Sequence, residues 1–261
     1  MRALLILLAM LGGAQAQTFQ RLVLDDSTIG PPKTGHAHLL YRPSVPGRHP
    51  AMIILSGCAG SGVHEEVWAE RIMGWGYVAL IVESMRPRGL TTVCDIGRNS
   101  PVPIPLRADD AFDAAAWMRT QDFIDPTRIG VIGFSHGGGG VLATNSLFSV
   151  RNHGGQPFRA AVAMYPSCNP NAQPKLATDT LILMGSEDEW TPADNCLALI
   201  EHTERNGHVL DFKVYQGAFH VFDIAGRRRT IPSGHVLGTT DESVADSAER
   251  TKAFLQAHLA Q

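Results

Sequence analysis

Long apolar runs are almost missing from this sequence. The longest, residues 3–11 (ALLILLAML), is too short to cross a bilayer, so no membrane-spanning helix is expected. Cysteine is scarce as well: there are four, none spaced as Cys-x-x-C, which excludes a zinc knuckle and a thioredoxin-like redox motif. Charged residues make up only 18% of the chain, the formal net charge is −3, and Arg227-Arg228-Arg229 is the one strong basic cluster. A nucleic-acid face needs a broader positive surface, so no nucleic-acid partner is expected. No lysine follows the glycine-rich segment 137–140, which removes a phosphate loop, and no G-x-G-x-x-G opens the first strand–helix unit, which removes a dinucleotide fold. Internal repeats, coiled-coil heptads and low-complexity tracts are lacking too.

What is present is enough apolar residue, 44% of 261, for one sizeable core and a single domain. Arg2, the run at 3–11 and the small-x-small site Ala14-Gln15-Ala16 read as a signal peptide over residues 1–16, with the mature domain covering 17–261. That assigns the protein to the periplasm or the exterior, with no stable membrane insertion after cleavage. In such an oxidising compartment the four cysteines can form disulfides in any of three pairings. Cys58 and Cys94 follow consecutive expected strands, and Cys168 and Cys196 flank a later strand and helix, so the favoured pairs are Cys58–Cys94 and Cys168–Cys196.

The apolar runs at 51–55 and 77–82 have the near-continuous character of strands covered on both faces, 128–134, 160–165, 180–184 and 209–215 supply further strands, and 36–42 reads as a strand near the sheet edge. Helical spacing occupies 64–73, 106–120, 137–148, 192–204 and 242–259. Alternation of this kind predicts an α/β fold: a mostly parallel sheet flanked by helices. The long segment 83–105 is expected to help form the mouth of a site.

Chemistry is expected first at Gly133-Phe134-Ser135-His136-Gly137, a G-x-S-x-G pattern between a strand and a helix. Such a turn strains the nucleophile and lifts its hydroxyl above the sheet, beside helix N–H groups that can hold an oxyanion. A serine needs a base, and the base needs an acid to hold its tautomer. In open parallel sheets both should follow strands. Asp188 follows 180–184, with Glu187 as the reserve, and His220 follows 209–215; His235 is the rival base. The order Ser135, Asp188, His220 is that of α/β-hydrolases. Oxyanion donors are expected at the backbone N–H of His136 and at that of Cys58, or alternatively Ala59. His136, Trp190 and Phe219 are candidate pocket walls, while Phe222 is expected in the core.

The segments LSGCAG, IVESMRPRG, RIGVIGFSHGG, LILMGSEDEWTP and YQGAFHVFD together resemble the dienelactone hydrolase family, over nearly the whole mature chain. The resemblance implies a compact hydrolase with little or no cap, and a triad at Ser135, Asp188 and His220. It also implies an acid and an arginine near the nucleophile, for which Glu83 and Arg86 or Arg88 are candidates. The founding members use a cysteine nucleophile, so Ser135 points to a serine branch similar to carboxylesterases. The expected activity is hydrolysis of a small-molecule ester through an acyl-enzyme, without metal or organic cofactor. Peptide or amide hydrolysis by the same triad is the alternative, and a non-catalytic binding module the third.

Overall fold

The computed structural model describes residues 19–25, 37–96 and 99–259. The leader read at 1–16 lies outside them. Eight strands form one sheet: β1 (Phe19–Asp25), β2 (Ala37–Pro43), β3 (His49–Leu55), β4 (Val78–Val82), β5 (Ile124–Phe134), β6 (Ala160–Met164), β7 (Asp179–Gly185) and β8 (Leu210–Tyr215). Their order is β1-β2-β4-β3-β5-β6-β7-β8, antiparallel at β1/β2 and β2/β4 and parallel elsewhere. The architecture is a single domain with a mostly parallel sheet flanked by helices, as expected.

Both sheet faces are covered, which explains the unbroken apolar runs. Along β3, Ala51, Ile53 and Leu55 enter one core, with Ala111, Ala115 and Met118 of α2 (Ile104–Arg119) and Val141 of α3 (His136–Thr144). Met52 and Ile54 point the other way, into a core with Trp68 and Ile72 of α1 (Val63–Gly74) and Leu255 of α6 (Asp241–His258). This period-two division is the strand geometry expressed in packing.

Three elements differ from expectation. β1 was not anticipated; it pairs with β2 from Phe19↔Pro43 to Asp25↔Ala37. β5 takes in residues 124–127, because Ile124 pairs with His49 before the register breaks and resumes at Ala51↔Ile129. The helix expected over 137–148 is two, α3 and α4 (Leu147–Asn152), since Ser146 caps α4 by accepting the Ser149 N–H (3.1 Å). α5 (Ala193–Glu201) follows β7, and a small hairpin, β9 (Arg229–Thr230) with β10 (Val236–Leu237), lies beyond β8. Among the described residues no helical cap is inserted over the strand ends.

Candidate active site

The carboxyl ends of β3, β5, β6, β7 and β8 converge, and each feeds a loop into one place. Ser135 follows β5 with φ 53° and ψ −114°, a region that L residues rarely adopt. The glycines around it are required by contact. A Cβ at residue 133 would lie 2.4 Å from Gly137 O, and one at 137 would lie 2.3 Å from Leu55 O. Strand, helix and the loop after β3 therefore meet at backbone distance around the hydroxyl.

His220 Nε2 stands 2.9 Å from Ser135 Oγ, and its Nδ1 donates to Asp188 Oδ2 at 2.7 Å. All three residues are buried. Asp188 is held from every side: Oδ1 accepts the N–H groups of Trp190 and Thr191 (2.9 Å each), and Thr191 Oγ1 lies 2.8 Å from Oδ2. Burial opposes ionisation of Asp188, but the hydrogen bond and charge of His220, with the Thr191 bonds, outweigh it and hold the carboxyl below its usual range. The acid and histidine loops are themselves tied together, by Ser186 N–H to Tyr215 O (3.0 Å) and Glu187 N–H to Ala218 O (2.9 Å). The Glu187 side chain turns instead toward Ser186 Oγ, on the exposed surface.

The loop after β3 brings Cys58 to the same centre. Its first three carbonyls are engaged by hydrogen bonds: Ser56 O accepts from Arg107 (2.7 Å), Gly57 O from Gly60 N–H (3.3 Å) and Cys58 O from Val93 N–H (2.8 Å). Disulfides join Cys58 to Cys94 and Cys168 to Cys196, and the first fastens this loop to segment 83–103. Among the described residues the N–H groups of Cys58 and His136 have no backbone acceptor, and both residues border the cavity at Ser135. An arrangement of this kind can stabilise negative charge on an oxygen bound at Ser135.

Ser135 opens on two chambers. One, of about 600 Å³, is bordered by residues 57–65, Tyr165, Trp190, Val221 and the β9–β10 hairpin. The other, of about 520 Å³, is bordered by Pro103, Ile104, His136, Ser167 and Thr191. Cys58, Cys94 and Trp190 belong to both and form the waist. Trp190 is stacked on His235 (4.3 Å between ring centroids), which accounts for the rival histidine.

Four expected pocket residues do not border either chamber. Glu83 is buried and spends Oε1 on the N–H groups of Met85 and Arg86, with Arg86 Nη1 at 3.7 Å from its other oxygen. Arg88 is paired with both oxygens of Asp110 (2.9 and 2.7 Å). These groups brace the turn Arg86–Arg88, so the acid and arginine that the family resemblance implied near the nucleophile are consumed by packing at these positions. The Phe219 ring is covered by the Arg228 guanidinium at 4.2 Å. Phe222 is in the core, as expected.

Other residues of the site carried no readable signal. Tyr165 packs edge-on against His220 (4.7 Å) and brings its hydroxyl to His64 Nε2 (3.1 Å), which in turn contacts Asp223 Oδ2 (2.9 Å). Of the four non-glycine residues with positive φ among those described, Ser135, Tyr165 and Val221 are here. Backbone strain is thus concentrated where the loops converge.

Comparison with known proteins agrees with this fold. A model described as the dienelactone hydrolase family matches residues 37–259. The quorum-quenching protein AidA of Acinetobacter baumannii is 31% identical over 113 residues, 40% of this chain; the match spans about a third (34%) of that relative. Among solved structures, a dienelactone hydrolase-like promiscuous phosphotriesterase from metagenomic libraries superposes with a TM-score of 0.71 at 18% identity, covering 93% of this chain and 98% of that one. Thermogutta terrifontis esterase 2, solved phosphorylated by paraoxon, gives 0.63 at 17% identity, covering 98% and 94%.

Proposed function

Because this chain belongs to the dienelactone hydrolase family, we propose that it is a serine hydrolase cleaving carboxylic esters of small molecules through an acyl-enzyme on Ser135. The observation that carries the reading is the continuous relay from Ser135 Oγ through His220 to Asp188, at 2.9 and 2.7 Å. As Oγ attacks the ester carbonyl, His220 Nε2 takes its proton, and the carbonyl π electrons move to the carbonyl oxygen, to which the N–H groups of Cys58 and His136 donate hydrogen bonds. The imidazolium so formed is stabilised by Asp188 and then protonates the departing alkoxide. Water then repeats the sequence: His220 takes a proton from it as its oxygen bonds to the acyl carbon, and when the acyl–Oγ bond breaks the imidazolium returns that proton to Ser135 Oγ and the acid leaves.

The relay alone serves esters and amides alike, and the esterase among the structural relatives favours the ester. The test is a parallel assay of p-nitrophenyl esters and matching p-nitroanilides, acyl groups held constant. Ester turnover well above amide turnover is expected; a preference for the anilides would contradict the reading. Export to the periplasm or beyond belongs to the same proposal, supported by the leader pattern at 1–16 and by two disulfides.

A further inference from the structure

We infer that Arg107 is a positioning residue for the oxyanion side of this centre, its guanidinium holding the Ser56 carbonyl and keeping a buried positive charge behind the Cys58 and His136 N–H groups. The inference rests on the reading of Ser135 as an acyl-transfer nucleophile.

Arg107 lies in the first turns of α2 and is 0% exposed. Its Nη2 donates to Ser56 O (2.7 Å) and approaches Ser56 Oγ (3.4 Å), while Nε and Nη1 are buried with no acceptor among the described residues. The acids whose charge it feels are Asp110, Glu83 and Glu65. Asp110 is taken by Arg88, Glu83 by the turn after β4, and Glu65 by the Gly62 N–H (2.8 Å). A cation so enclosed, with three of its five N–H donors unused, costs stability that an apolar side chain of similar volume would not. Burial lowers it to about 10, which still leaves it charged at neutral pH.

Its position joins the two elements that carry the oxyanion donors. In a trans peptide the carbonyl and the following N–H point in opposite directions. Drawing Ser56 O into the protein therefore fixes the plane of the Ser56–Gly57 peptide and the course of the chain into Cys58. On the other side Arg107 packs directly on α3: a Cβ at residue 140 would come within 2.7 Å of Arg107 Cβ. Ser56 O itself fits against residue 137, where a Cβ would stand 2.4 Å from it. The same charge reaches the residue after the nucleophile, for burial and Arg107 together push the His136 imidazole down to about 4. A fixed cation behind these N–H groups interacts most strongly with charge that develops only in the transition state, so its effect belongs in kcat and not in KM.

The experiment measures kcat and KM for one p-nitrophenyl ester, and inhibition by a boronic acid, in wild type, R107Q and R107K. A boronic acid reproduces the anionic tetrahedral state when the serine adds to boron. For R107Q the expected result is a fall of about 100-fold in kcat, a comparable loss of boronate affinity, and KM within about 3-fold of wild type. R107K, which restores the charge on a shorter donor, should lose only about 10-fold in each. Unchanged kcat in R107Q, or a loss confined to KM with boronate affinity intact, overturns the inference. Should R107Q fail to fold by circular dichroism, R107K decides by the same criterion: parallel losses in kcat and boronate affinity support it, and unchanged values overturn it. A wild type inert in both assays removes the reading of Ser135 and this inference with it, whereas an active wild type with indifferent variants removes this inference alone.

Discussion

The backbone at Ser135 costs on the order of 1–3 kcal/mol, and hydrogen bonds on both sides of the residue maintain it. Its N–H donates to Met164 O (2.9 Å), and its carbonyl accepts from Gly139 and Ser167 (3.0 and 3.1 Å). Single residues were legible in the sequence where local chain geometry dictates the residue type: Gly133 and Gly137 mark the turn because no side chain fits there. Arg107, Thr191 and Tyr165 were not legible, since what each does depends on partners distant in sequence, as Arg107 with Ser56 across 51 residues. His64 is of the same kind and gives a measurable pH effect. Burial alone would lower its imidazole, but Asp223 and Glu65 overcome that and push it up to about 10. A group raised in the folded state stabilises fully below its unfolded value, and the contribution is lost as pH rises from about 6.5 to about 10. His64→Gln should therefore lower the unfolding free energy, read by denaturant titration, at the acidic end of that window by on the order of a few kcal/mol, and flatten its decline toward the alkaline end. Parallel curves for variant and wild type would contradict the assignment.

At the scale of elements, strands buried on both faces announced themselves as apolar runs, and the loops after them carried the right residue types. Helix division was harder to see: the break between α3 and α4 rests on one capping bond at Ser146. β1 stands beyond the antiparallel β2 at the margin of the sheet, where no double-sided apolar run marks it. The loop after β3 shows how elements serve the site, since three carbonyl contacts and one disulfide fix three successive residues, Ser56, Gly57 and Cys58. Closing chain separations of 36 and 28 residues, the two disulfides should each contribute about 4 kcal/mol by restricting the unfolded chain. Two double variants separate stability from function. C58A/C94A and C168A/C196A are expected to lose similar stability in urea unfolding, but only C58A/C94A should also lose kcat, by about 10-fold, because it alone frees the oxyanion loop. Equal kcat in the two variants would mean that the tether has no part in catalysis.

For the whole molecule, the parallel sheet explains why residues 135, 188 and 220 meet at all: its strands run the same way, so their following loops share one rim. That much followed from the alternation of apolar runs and helical spacing. The chamber walls did not, because they come from the hairpin at Arg229–Leu237 and from residues 93–95 and 100–103, whose courses no periodicity prescribes. No helix among the described residues is long and apolar enough to cross a membrane. Produced as the full chain in an exporting host, the protein should have an intact mass beginning at Gln17; a mass retaining Met1 would contradict the leader reading. The central claim, that the Ser135 hydroxyl is the nucleophile, is tested most directly by titration with paraoxon, read as p-nitrophenolate release and by peptide mass. The expected result is one p-nitrophenolate per chain and one diethylphosphoryl group on the peptide that carries Ser135, both lost in S135A. A folded protein that releases none, or an S135A variant labelled as fully as wild type, would contradict it.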